Sequence, residues 1–339
     1  QSYSIVLAVL LFLTLPDIAK AQTDSLVLNN GDTMVGELKE MRQNKTLIST
    51  DYSNEDFKIN WDQIKQLKTT TRFIVTLESG ERFQGFLSGT SERIKILTDK
   101  GTLATTSLNS IVFLKQIQSE FWRNINASLS VGYNFTKANN LSQYSVRSNL
   151  QYRGQRWSGS TRYNHIISSQ DNVPSTERLD ANVVYNCFLK RKWFLVGEVN
   201  WLSNTAQNIN LRTLGKAGFG KYLIQGNSLY WGLQTGLSFN YESFRNQGLD
   251  LQNESAEAFL GTEANLYNIG NLNLLSRIVV YPSLTESGRW RTDLNFDLKY
   301  DLPLDFFINF GISLNYDSQP VLEGKETDYV LQTTVGWSF

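Results

Sequence analysis

The chain has 339 residues, with 23 Gly, 19 Phe, 15 Tyr and 8 Trp against only 5 Pro, which favours a large β architecture in two domains. Thirty-two basic residues balance 32 acidic ones, so the overall charge offers nothing to nucleic acid or an anionic surface. A single cysteine, Cys187, excludes an internal disulfide framework and reads as a small apolar side chain.

Ile5 to Leu15 form an apolar run of signal-peptide length, too short to cross a bilayer as a helix. Ala19-Lys20-Ala21 ahead of Gln22 supplies the small-x-small pattern that a signal peptidase cuts. Residues 1–21 are therefore expected to be an export signal whose basic part lies upstream of Gln1. Beyond it no run approaches the roughly 20 apolar residues of a membrane helix, so any crossing must be made by strands.

Residues 22–120 hold one pattern twice. Leu28-x-x-Gly31-Asp32-x-x-x-Gly36-x-Leu38 returns as Leu77-x-x-Gly80-Glu81-x-x-x-Gly85-x-Leu87, and Ile64-x-x-Leu67 returns as Ile111-x-x-Leu114. Asn30-Gly31-Asp32 and Ser79-Gly80-Glu81 carry the glycine of tight hairpins, with Asp32 and Glu81 as turn residues, and the flanks are β-rich. Each copy is expected to be a small meander, and the glycine spacing resembles small SH3-like or Sm-like barrels. The absence of a basic, aromatic-interleaved patch argues against RNA.

Residues 121–339 change character, becoming stretches of about ten residues in which apolar and polar side chains alternate, the pattern of a transmembrane antiparallel β-barrel. Trp290-x-Thr292-x-Leu294-x-Phe296-x-Leu298-x-Tyr300, with Arg, Asp, Asn, Asp and Lys between, is the clearest case. Twelve strands are expected, beginning near 124, 142, 157, 178, 193, 211, 228, 255, 271, 289, 306 and 328. Short turns at 153–156, 189–192, 225–227, 268–270 and 301–305 alternate with longer polar loops such as 245–253 and 317–327, which places both ends of the barrel in the periplasm. Aromatic residues at strand ends, among them Tyr144, Trp157, Trp193 and Trp201, fit interfacial girdles. The alternation Tyr329-x-Leu331-x-Thr333-x-Val335-x-Trp337-x-Phe339 resembles the terminal insertion signal read by the barrel-assembly machinery.

The export signal, the two L-x-x-G-[DE] hairpins and the aromatic twelve-strand tail resemble the YdiY-like salt-induced outer-membrane protein family. The resemblance implies an outer-membrane location and this fold; it carries no activity and no site residues.

Chemistry is sparse. His165, the only histidine, falls on the expected lipid face beside Tyr163 and Ile167 with no serine in sight, so no catalytic residue is proposed. No His/Cys cluster has metal-ligand spacing, and no cofactor is expected. The expected lumen is more informative. Arg147, Arg162, Arg212, Lys216, Arg277, Arg291 and Lys299 oppose Asp180, Glu198, Glu242, Glu257, Glu263, Asp293 and Asp297, a balance that suggests no strong ion preference. These charges either pair across the interior or line an open passage. The protein is thus expected to be a non-enzymatic outer-membrane barrel in contact with lipid. It would be either a passive channel for small polar solutes or an anchor whose N-terminal domain binds a periplasmic protein partner.

Overall fold

The computed structural model describes residues 24–98, 101, 103–117, 124–137, 140–205, 209–246, 249–319 and 326–337. The expected export signal and Phe339 lie outside these residues. The chain is all-β, in two sheets, and among the described residues no helix is long and apolar enough to cross a membrane.

The first sheet is built from the two repeats. Copy one supplies β1 (Asp24–Leu28), β2 (Thr33–Arg42), β3 (Lys45–Ser49), β4 (Phe57–Asn60) and β5 (Ile64–Lys68). Copy two supplies β6 (Arg72–Leu77), β7 (Arg82–Thr90), β8 (Arg93–Thr98), β9 (Leu103–Thr106) and β10 (Ile111–Ile117). Within each copy the first strand pairs with the second and the fifth. Each copy contains the expected small meander, β1 to β4 and β6 to β9, but neither copy closes alone. The fifth strand of each pairs with the second strand of the other, β5 with β7 and β10 with β2, so six strands form one closed barrel with β3–β4 and β8–β9 as flaps. The physical reason is the core: Leu26, Leu38, Met41 and Trp61 of copy one share a single buried cluster with Phe73, Val75, Ile94 and Leu114 of copy two. The Trp61 indole N–H donates to the Leu108 carbonyl at 2.9 Å, tying the copies at equivalent places.

The repeated glycines have distinct jobs. Gly31 and Gly80 take the left-handed backbone (φ +93° and +86°) that their hairpins require. Gly36 and Gly85 sit where a Cβ would lie 2.1 Å from the carbonyl oxygens of Ser49 and Leu97, so a neighbouring strand occupies the space of a side chain.

The second sheet has twelve antiparallel strands in sequential order. They are β11 (Ile125–Thr136), β12 (Leu141–Arg153), β13 (Trp157–Gln170), β14 (Val173–Phe188), β15 (Trp193–Asn204) and β16 (Ile209–Gln225). They continue with β17 (Leu229–Asn246), β18 (Leu249–Ile269), β19 (Leu272–Pro282), β20 (Trp290–Asp301), β21 (Phe306–Asp317) and β22 (Thr327–Trp337). All twelve expected strands are present. The stretch expected as a longer loop over 245–253 is instead strand at its described residues, because β17 runs on to Asn246 and β18 begins at Leu249. Each strand pairs with the next, with bulges near the ends of β13, β15, β16 and β18, and β11 and β22 are the edges of the ladder.

One face of this wall is apolar and exposed. Leu129, Val131, Tyr133 and Phe135 of β11, Leu233, Leu237 and Phe239 of β17, and Phe306, Ile308 and Phe310 of β21 all stand there. Tyr329, Leu331, Val335 and Trp337 of β22 share it, and the Trp337 indole donates to Leu304 O at 2.9 Å. His165 is on this face too, its Nε2 2.8 Å from Glu177 Oε1.

Candidate functional site: the polar inner face and its cap

Cross-strand register decides which side chains share the other face. Arg147 stands opposite Asn164, which also faces Asp180; Arg162 stands opposite Asn182. Glu198 faces Lys216, Arg212 faces Glu242, Glu257 faces Ser238 and Glu263 faces Arg277. Arg277 in turn faces Asn295, which shares its side of β20 with Arg291, Asp293, Asp297 and Lys299. All fourteen charged residues singled out from the sequence therefore lie on one face. Five further charges join them: Asp301, Asp317 and Asp328 on the last three strands, and the cations Arg153, on the same side of β12 as Arg147, and Arg178, two residues before Asp180. The alternation marked both cations, but one closes a strand beside a turn and the other was read as a strand start.

The carboxylates on this face are largely satisfied. Lys216 Nζ is 2.7 Å from Glu198 Oε2, and Asn200 donates to Glu198 Oε1 at 3.0 Å. Arg291 grips Glu257 with both Nε (2.8 Å) and Nη2 (2.6 Å), and Glu257, only 1% exposed, has no water to fall back on. Arg212 pairs with Glu242 at 2.5 Å, and Arg178 with Asp180 at 2.9 and 3.1 Å. Asn265 and Asn309 donate to Glu263 (2.8 Å) and Asp297 (3.3 Å). Lys299 is not Asp297's partner; it reaches Asp301 at 2.8 Å. Among these pairs, Phe259, Val279 and Tyr281 form a small buried apolar cluster, with the Phe259 ring lying across Gly218 and Gly236. Space remains. A cavity of about 800 Å³ is lined by Arg153, Arg162, Asp180, Glu198, Tyr222 and Arg277, and another of about 590 Å³ lies between Glu263, Asn295 and Gln332.

The six-stranded barrel sits on the short-turn end of the wall. Gln155 Nε2 donates to Arg82 O (3.0 Å), Asn227 Nδ2 to Asn109 O and Ile111 O (3.2 and 3.0 Å), and Asn268 Nδ2 to Gln43 O (2.9 Å). Gly80 is pressed on Lys192, whose backbone nitrogen would lie 2.9 Å from a Cβ there. Four of the five short turns thus touch the cap. Two arginines cross the junction in opposite directions: Arg82 of the cap lies 3.6 Å from the Phe188 ring centroid of the wall, and Arg153 of the wall lies 3.8 Å from that of Phe113 in the cap. Burial, reinforced by the like charge of Arg153, lowers the Arg82 guanidinium to about 10. These contacts were not visible in the sequence, because side chains of turns carry no periodic signal. Among the described residues no group of His, Cys, Asp and Glu is arranged to hold a metal.

Fold and faces together define a β-barrel wall with a polar, partly ion-paired interior. The chain belongs to the family described as "Protein of unknown function, DUF481", whose profile matches residues 129–339. The chain is also similar to a solved structure, the NanC porin in a rhombohedral crystal form. Identity there is 15% and the TM-score 0.33, over 62% of this chain and 100% of that one. Comparison with curated proteins returned no match.

Proposed function

We propose that the protein is an integral outer-membrane barrel whose polar inner face forms a passage for small polar solutes, with residues 24–117 seated on its periplasmic mouth. The observation that carries this reading is the opposition of the two faces of one sheet: an exposed apolar face suited to lipid, and a charged inner face that still encloses about 800 Å³. The long-turn side then faces outward, the C-terminal strand meets the assembly machinery, and the YdiY-like resemblance is compatible with the family membership.

A second reading, a non-transporting anchor for a periplasmic partner-binding domain, draws on the cap over the mouth and on the apolar cluster at Phe259. Planar-bilayer recording separates the two. The full chain is expected to conduct weakly and the cap-loosening double variant Arg82→Glu/Phe188→Ala more strongly. Silence of both, in protein that remains heat-modifiable, would favour the anchor, and recovery as a soluble periplasmic protein would overturn the membrane assignment.

A further inference from the structure

Seven cations against seven carboxylates is the balance read along the strands, but it is not the balance at the capped end of the interior. The cavity there is lined by three carboxylates, and each is occupied. Asp180 takes Arg178 through two hydrogen bonds, Glu198 takes Lys216 and Asn200, and Glu263 accepts from Asn265 and stands across from Arg277. Three guanidinium groups line the same space: Arg153, Arg162 and Arg277. Among the described residues Arg153 and Arg162 have no carboxylate at ion-pair distance; the cross-strand neighbours of Arg162 are the amides Asn149 and Asn182.

The cap adds positive charge here. Arg82 stacks on Phe188, and its Nη1 is buried without a hydrogen-bond partner, as is Nε of Arg153. Glu40 and Arg42, which approach Arg153 from β2, hold each other at 3.2 Å and cancel. Lys115 of β10 is a further nearby cation, lowered by burial. A buried guanidinium without a counter-charge is costly, and its planar fork of donors matches the paired oxygens of a carboxylate or phosphate.

We propose that this cavity binds a small oxyanionic solute, one bearing a carboxylate or phosphate group, through Arg153, Arg162 and Arg277. The site rests on the reading of the inner face as a water-filled lumen and names the class of solute that would dwell there. Its volume lies within the roughly 300–1,000 Å³ of small-molecule sites. The Tyr222 and Tyr230 hydroxyls, and Gln151 and Asn186, complete its lining with neutral groups able to hydrogen-bond a sugar or water.

Equilibrium dialysis of the full-length protein in detergent, at low ionic strength, tests this with labelled inorganic phosphate in one arm and labelled citrate in the other. Saturable binding of at least one is expected, and the stronger arm identifies the headgroup chemistry. Arg162→Gln, at an exposed position, should weaken binding about tenfold, as loss of a charge-assisted hydrogen bond does, and Arg153→Gln should do the same. Lys192→Gln, on a turn outside the cavity, should leave it unchanged. If heat-modifiable wild-type protein binds neither probe saturably, or if both arginine variants bind as well as wild type, the site is overturned. Because dialysis needs no current, a silent channel that binds either probe keeps the site, and a conducting one that binds neither removes it while leaving the passage.

Discussion

The two sheets are made of the same kind of strand and turned inside out with respect to each other. In the N-terminal sheet, the flap strand β8 turns Ile94 and Ile96 into the core of the six-stranded barrel and leaves Arg93 and Lys95 outside. In the twelve-stranded wall, β20 turns Asp293, Asn295 and Asp297 inward and Leu294, Phe296 and Leu298 outward. Period-two alternation is common to both; what differs is which set is enclosed. A ring of six strands leaves room only for packed side chains, and burying each large apolar one contributes roughly 1.5–3 kcal/mol, so that unit carries its own core. Twelve strands leave too much volume for side chains to fill on the inner side, so the apolar set stands on the outer, exposed face.

Substitutions that attack each sheet on its own terms sharpen that contrast. The largest effect is expected for Gly85→Val. Its side chain would collide with the Leu97 carbonyl, at a cost of about 4 kcal/mol or more, and only the cap should become protease-sensitive while the wall stays heat-modifiable. Arg291→Gln comes next. It strands the buried Glu257, which should cost the wall about 3 to 5 kcal/mol, seen as a lower temperature of the heat-modifiability transition. Leu294→Arg should impair assembly by about 2 to 4 kcal/mol while Asn295→Arg assembles. Equal defects from these neighbours would show that the two faces are not what they are described to be. Phe188→Ala removes the ring that Arg82 covers and should loosen the cap by about 1–2 kcal/mol, measured as faster proteolysis of residues 24–117. The smallest change, Lys299→Gln, removes a half-exposed pair with Asp301 and the contact of the ammonium with the Phe307 ring, 4.7 Å from its centroid, and should move stability by about 1 kcal/mol.

The twelve strands were legible because side-chain direction alternates strictly along a strand, and the same parity put Arg147 through Lys299 on one face. Pairing was not legible. Arg291 reaches past β19 to Glu257, whereas Lys299 takes Asp301 on its own strand, since same-side carboxylates lie both along a strand and across it and parity does not choose between them. The duplication in residues 22–120 was visible through Gly31/Gly80 and Gly36/Gly85, whereas the exchange of fifth strands between copies was not, because a repeat reports similarity and not connectivity. The cap's seat on the turns rests on single side chains such as Asn227 and Asn268, which look like any other turn residue.

The exchange of fifth strands also governs time. Met41 pairs with Leu114, and Leu67 with Gly89, so the ring cannot close until residues far apart along the chain have met. Non-local pairing of this kind slows folding, because the entropy of a long loop is lost before the contacts that repay it form. A nascent first copy has no native resting place of its own: Leu26, Leu38 and Trp61 remain without their partners until the second copy arrives. The cap therefore becomes whole in a single late step, which makes this interval the chain's most vulnerable to proteases and to aggregation.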